Sequence, residues 1–512
     1  MAVLVLAGLV LATCALPADE VVPTAVSTPT PAVPLMTTVP PSTATLAPTT
    51  TMTTVLVGES GASGIGDDLY PLLGNGGYDV ARYELDLEVD MSTGALAGTA
   101  RVIASARQNL ASFNLDLVGL EVTDVAVDGA TVEFARAGRE LTVLLPEAIA
   151  VGTSFETVVT YAGVPAPVSA SVPFGSGWQK AGDLVYVLDQ PDGASSWFPV
   201  NDHPLDPATF LIALDVPAGY ETVTSGVAVS GLDDPDEADV WEIPEETSPY
   251  LVALAVGEFE RLVQDPAGDI DLVVWHPPDL APALLRPFAA HADMLAFFSD
   301  RFGEYPFDRY GALVIDDPEL AAALETQTLS TFGLPALGEE VVAHELVHQW
   351  FGDSVRVASW KDIWLNEGFA TFGQWLWAEE TEGPTAYDLQ VAQAYGLMSG
   401  AVFATPNSTG ADEARRRFPP PASPVAEDLF NPSVYLRGGL ALVGLRDEVG
   451  DEATRELMRA WFDQSRGNAV DTAQFQTLTG QLLGPEALAV LNSHLRDDLP
   501  PAMPVRGLAP PA

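Results

Sequence analysis

The sequence predicts a multidomain chain in which an all-β domain precedes a domain running from α/β to mostly helical structure. Three observations predict it. Apolar residues make up 47% of 512, enough for more than one core. Between residues 69 and 262, short apolar runs alternate with polar residues and turn signals. Beyond Gly338 the apolar spacing becomes helical and stays so to about Leu495.

The segments before those domains have a different character. Residues 3–16 are apolar and small, too short to span a bilayer and suited to the core of a signal peptide, so residues 1–16 are expected to direct export. Leu11-Ala12-Thr13-Cys14 resembles a bacterial lipobox, although no Lys or Arg precedes it and Thr13 stands where a smaller residue is usual. Cys14 is then the expected lipidation site, and one lipid group would anchor the chain to a membrane face. It is the sole cysteine, so no internal disulfide can form. From about Pro17 to Gly66 the chain is mostly Thr, Pro, Ser, Ala and Val with almost no charge, and residues 17–68 are expected to form a disordered stalk. Signal and stalk together place the protein outside the cytoplasm, on a bacterial cell surface or secreted.

The β domain is assigned to residues 69–262. Tyr83, Leu85, Leu87 and Val89 alternate with Glu84, Asp86, Glu88 and Asp90, the period of a half-buried strand. Further runs at 120–127, 140–145, 155–161, 211–216 and 251–256 are separated by turn pairs such as Asp128-Gly129 and Ala137-Gly138. The second domain is assigned to residues 263–512. Residues 272–275 and 312–315 are buried-strand candidates, and 282–302 has helical spacing, with His291 on its apolar face. Asp451 and Asp471 are expected N-caps.

Acids outnumber bases 71 to 22, a formal net charge of −49. Such a surface repels nucleic-acid phosphates and anionic lipid, which argues against a nucleic-acid partner. It attracts cations, including peptides with a free α-ammonium.

The strongest chemical signal is His344-Glu345-Leu346-Val347-His348. Residues four apart share a helix face, so both imidazoles can bind one ion. Zinc suits two neutral nitrogens and a carboxylate, with a fourth position open to water. Glu367, in Trp364-Leu365-Asn366-Glu367-Gly368-Phe369-Ala370, is the expected third ligand from another helix. A water on the ion would be acidified to a pKa of roughly 7. Glu345, beside a ligand, can take its proton as general base and pass it to the leaving amine.

The run 344–352, with its Gln-Trp-Phe-Gly tail, and Asn366-Glu367-Gly368-Phe369 resemble the aminopeptidase N family of thermolysin-like gluzincins. Three further segments match in the right order. The resemblance implies a saddle-like N-terminal β domain, a thermolysin-like catalytic domain and one zinc ion. Ala322-Ala323-Leu324-Glu325-Thr326 is similar to the family's Gly-Ala-Met-Glu-Asn motif, which implies that Glu325 binds the substrate's α-ammonium. Its Gly, Met and Asn positions differ here, which bears on the first-residue pocket. Gln190-Pro191-Asp192-Gly193-Ala194 looks like the β-domain loop that reaches the site, with Gln190 holding the same amine. Tyr435-Leu436-Arg437-Gly438-Gly439 is similar to the family's Tyr-x-Lys-Gly-Ala run, which implies that Tyr435 stabilises the oxyanion. Asp362 and Asn366 are lesser candidates for supporting the ligands. Larger family members carry a further helical domain, which is expected to be missing here.

The expected function is hydrolysis of single residues from the N-termini of peptides. Two alternatives stand beside it: a zinc endopeptidase on the same scaffold, and a non-catalytic peptide-binding scaffold.

Overall fold

In the computed structural model, which describes residues 56–168, 175–231, 238–405 and 408–510, the predicted alternation is realised in strand Tyr78–Asp90. Tyr83, Leu85, Leu87 and Val89 are buried, while Asp86, Glu88 and Asp90 face solvent. This strand sits inside an eight-stranded sheet, antiparallel to Ala95–Ala106 and parallel to Ala208–Asp215. Two four-stranded sheets complete the β domain. Its core gathers Tyr83, Trp178, Trp197, Phe198 and Phe210, aromatic surface that stabilises the domain through area removed from water. Asp128 and Gly129 both adopt positive φ, 49° and 79°, as a tight hairpin turn requires. The run 251–256 divides: Pro249–Leu251 form a single turn and the strand is Leu254–Gly257.

The signal segment 1–16 with Cys14, and the stalk as far as residue 55, lie outside the described residues. Residues 57–68 correct the stalk boundary, because they belong to the folded unit. Glu59–Ser60 pair in parallel with Leu110–Asp116. Asp67 is buried, and its Oδ1 accepts from the amides of Leu69 and Tyr70 at 2.7 and 2.8 Å. Its Oδ2 accepts from the Trp360 amide at 2.8 Å and lies 3.1 Å from His203 Nε2. Burial opposes the Asp67 charge, but His203 and these amides hold the carboxyl well below the usual range. The Tyr70 hydroxyl donates to the Ala426 carbonyl. Long-range hydrogen bonds, rather than a core of its own, order this segment, so composition alone did not reveal it.

The second domain opens with a five-stranded sheet in the order Glu260–Val263, Asp271–His276, Arg309–Ile315, Ser330–Gly333, Ala323–Leu324. The expected domain boundary at 262/263 therefore falls inside the first of these strands. The three inner strands are parallel, and the Ala323–Leu324 edge is antiparallel. The helices among the described residues are α1 (His291–Phe302), α2 (Glu339–His348), α3 (Trp364–Glu382), α4 (Pro384–Met398), α5 (Ala411–Arg417), α6 (Gly438–Val449), α7 (Asp451–Ser465), α8 (Thr472–Leu483) and α9 (Pro485–Arg496).

The first half of the predicted helix over 282–302 is a 3₁₀ stretch, Pro282–Ala290, before α1; Pro287 has no amide hydrogen to donate there. His291 is fully buried as expected. Asp471 caps α8 in a capping box with Gln474. Asp451 is instead the first helical residue of α7, after Gly450. Helices α3 and α6 cross closely at Gly368 and Gly438: a Cβ on Gly368 would lie 2.8 Å from Gly438 backbone, so only glycine fits without a shift. No helix among the described residues is long and apolar enough to cross a membrane.

Candidate active site

Helix α2 presents His344 and His348 on one face, with ring centroids 4.9 Å apart. Helix α3 follows after a chain reversal and brings Glu367 back to them. Glu367 Oε2 lies 3.4 Å from His344 Nε2 and 3.5 Å from His348 Nε2. The three residues place one ligand atom each within 4.8 Å of one another. His348 Nδ1 is 3.1 Å from the Phe351 carbonyl, which can only accept, so Nδ1 carries the proton and Nε2 is free to bind a metal. Two imidazole nitrogens and one carboxylate, from His344, His348 and Glu367, are a donor set that suits zinc with a fourth position open.

The electrostatics point the same way. Burial opposes the Glu367 charge, but the two imidazoles overcome it and lower its carboxyl to about 2. Burial disfavours the His348 cation, yet Glu325 and Glu367 outweigh that and raise it to about 10. Burial pushes Glu345 well above the ordinary carboxylate range, with Glu325 and Glu367 adding to it. Three buried carboxylates and two imidazoles thus converge, and a divalent cation held by His344, His348 and Glu367 would offset the charge of the ionised carboxylates.

Glu325 stands directly after the Ala323–Leu324 edge strand and is 2% exposed. Burial raises its carboxyl to about 7. Gln190 reaches it from the β domain, and Gln190 Nε2 donates to Glu325 Oε1 at 2.7 Å. Tyr435 lies in a π-helical turn, Ser433–Arg437, that leads into α6, and its ring stacks near His344 with centroids 6.1 Å apart and planes 24° apart. Burial raises its hydroxyl pKa, as do Glu367, Glu325 and Glu345, so it stays a donor. The candidates for metal binding, proton transfer, amine binding and oxyanion stabilisation are therefore gathered at one place: Glu345, His344, His348, Glu367, Glu325, Gln190 and Tyr435.

Leu324, which departs from the motif's methionine, is buried in a core with Tyr186, Leu188, Trp241 and Trp275. The Thr326 hydroxyl lies 3.0 Å from the Thr331 hydroxyl, within its own turn. The Arg437 charge turns away from the site: its Nη2 donates to the carbonyls of Ser493 and Leu499, each at 3.3 Å, and of Asp497, beyond the end of α9. Asp362 Oδ1 accepts from the hydroxyl and amide of Thr472, a structural role.

Sequence reasoning gave no role to two groups that position the site, nor to a third that fastens the N-terminal segment. Gln349 follows the second histidine; its Oε1 accepts from the Thr328 amide at 2.7 Å and its Nε2 donates to the Glu325 carbonyl at 3.1 Å. It fastens the Glu325 turn, where Thr328 has φ of 64°, to α2. Arg139 braces the Gln190 loop: Nε to Asp116 at 3.0 Å, Nη1 to Asp192 at 3.1 Å and Nη2 to Ser195 Oγ at 3.2 Å. His203 had no partner at useful sequence spacing, and its partner, Asp67, lies 136 residues away. Only the position of Gln349, inside a recognised motif, carried a signal.

Residues 287–493 match the model of the peptidase family M1 domain. The solved M1 zinc metallopeptidase from Deinococcus radiodurans is similar at 31% identity and a TM-score of 0.76, covering 85% of this chain and 99% of that one. Aminopeptidase N of Haemonchus contortus is 25% identical over 322 residues, 58% of this chain and 32% of that protein. Aminopeptidase N of Bos taurus is 31% identical over 305 residues, 53% of this chain and 31% of that protein. The chain spans about a third to a half of the curated relatives it matches. The full-length likeness to a solved structure joins the converging histidines and carboxylates in one conclusion: the chain belongs to peptidase family M1, the zinc metallopeptidases.

Proposed function

We propose that the protein is an aminopeptidase that removes single residues from peptide N-termini, using one zinc ion held by His344, His348 and Glu367. The contact between Gln190 and Glu325 carries this reading. It closes one end of the site with a buried carboxylate and an amide oxygen, the partners an α-ammonium needs. A peptide anchored there by its terminus presents its first peptide bond to the metal ligands. A variant of the Deinococcus radiodurans relative has been solved with a Tyr-Ser-Ala substrate, which supports peptides as the substrate class.

When bound, zinc supplies Lewis acidity to water and to the scissile carbonyl. Glu345 takes the proton of the attacking water and returns it to the departing amine. The Tyr435 hydroxyl donates to the oxygen on which negative charge develops. Glu325 and Gln190 fix the register, and the outer side of the Ala323–Leu324 edge suits pairing with an extended peptide.

Activity on a panel of aminoacyl-anilides should fall to background with a chelator and return on adding zinc. Equal cleavage of N-acetylated and free peptides would instead favour the endopeptidase. A zinc-loaded chain that binds peptides and cuts none would favour the scaffold.

The export segment supports work outside the cytoplasm, with Cys14 as the lipidated anchor. In a bacterial host, Cys14→Ser is expected to move the protein from the membrane fraction to the soluble fraction. An unchanged distribution would refute the anchor.

A further inference from the structure

After α9 the chain comes back against α6. Met503 and Leu508 exchange backbone hydrogen bonds at 2.8 and 3.1 Å, and Arg506 holds that turn down. Its guanidinium donates to both Asp447 carboxylate oxygens at 2.8 Å and to Asp388 at 2.5 Å, and lies 5.0 Å from the Tyr387 ring centroid. Between α6, α9 and this strap lies a cavity of about 290 Å³. Ligand cavities run from about 300 to 1,000 Å³, so this one suits a molecule smaller than a drug. Its walls are mostly apolar, with Val490 from α9 and Met503 and Pro504 from the strap.

One wall residue breaks the pattern. His494 is 1% exposed, and its Nδ1 is buried with no hydrogen-bond partner among the described residues. Burial, with the Arg437 charge beside it, lowers the imidazole to about 3, so the ring stays neutral. A neutral imidazole has one N–H and one bare nitrogen. A buried N–H left unpaired is the rarer fault, so Nδ1 is the bare nitrogen and Nε2 carries the hydrogen. Nε2 faces Gly444, where a Cβ would come within 2.8 Å of it, and glycine leaves that edge of the ring clear. Gly444 and His494 both line the cavity, and no described residue accepts from Nε2.

We infer that this cavity binds a small uncharged molecule with an apolar body and one carbonyl oxygen, which accepts a hydrogen bond from His494 Nε2. Simple amides, ketones and lactones make up that class. The lining sets the charge. Asp447 is engaged by Arg506, and Glu448 stands exposed at the rim. With a net charge of −49 on the chain, a carboxylate is repelled. A cation is refused by the N–H at the inner end. None of the lining residues belongs to the catalytic centre, so the site is separate from it.

Acetanilide, a phenyl ring bearing one neutral amide, is the probe. It is titrated into the full chain carrying isotope-labelled methionine methyls read by NMR. The Met503 signal, identified by its loss in Met503→Leu, should shift to saturation with a Kd of about 1 mM or tighter. Phenylacetate, of the same size but anionic, should bind at least about tenfold more weakly. His494→Phe keeps a ring without the donor and should weaken acetanilide at least about tenfold. Ala502→Trp covers the case in which that variant fails to fold: Ala502 is an exposed wall residue, and an indole there fills the cavity and should abolish binding. No saturable shift at Met503 up to about 10 mM overturns the site. Unchanged affinity in Ala502→Trp places the probe elsewhere and overturns it too. Equal binding of phenylacetate, or unchanged affinity in His494→Phe, overturns the ligand class. Binding rather than cleavage is read, so the result does not depend on the aminopeptidase reading.

Discussion

Glu345→Gln should lower kcat/KM on an aminoacyl-anilide by about three to four orders of magnitude, the upper range for losing a positioned general base. That corresponds to about 4–5.5 kcal/mol of transition-state stabilisation. The substitution keeps size and packing in a buried position, so the loss is one of proton transfer rather than of fold. Glu345 is not among the proposed ligands His344, His348 and Glu367, so zinc content should stay at one per chain. Kinetics and metal analysis on the same preparation check both halves. A variant within tenfold of wild type would remove Glu345 from the mechanism. A variant without zinc would make it a ligand instead.

Glu325→Ala should cost about 10²–10³-fold in kcat/KM for peptides with a free N-terminus, the penalty of leaving a buried charge without its partner. The loss should fall mainly on KM, because the ammonium is held alike before and during reaction. Cleavage of N-acetylated peptides, slow in wild type, should change little, so the preference for free over blocked termini should collapse. If the variant keeps that preference, the amine is recognised elsewhere. Gln190 then becomes the group to replace, since it alone reaches Glu325 from the β domain among the hydrogen bonds described.

Much of the site was legible in the sequence because its chemistry is local. His344 and His348 lie on one turn spacing, and Glu367 follows the second of them with eighteen residues between, in a motif of its own. Gln190, Glu325 and Tyr435 carried signals only as members of ordered motifs; the residues alone read as a turn, a strand end and an aromatic. The alternation of Tyr83 to Val89 gave a strand because burial on one face imposes a period of two. What stayed hidden acts across long separations. Arg139, beside the Ala137-Gly138 turn, carried no signal, yet it braces a loop more than fifty residues later. Residues 57–68 looked like stalk because their composition is polar and small, and composition carries no information about a carboxylate whose partners are Trp360 and His203.

That last contact bears on how the molecule takes mechanical tension. A pull on the chain ahead of Val57 meets first the short pairing of Glu59–Ser60 with Leu110–Asp116, and next Asp67. Asp67 grips His203 on the β-domain side and the Trp360 amide on the catalytic side. One buried carboxylate thus carries that load into both domains at once, rather than into the β domain alone.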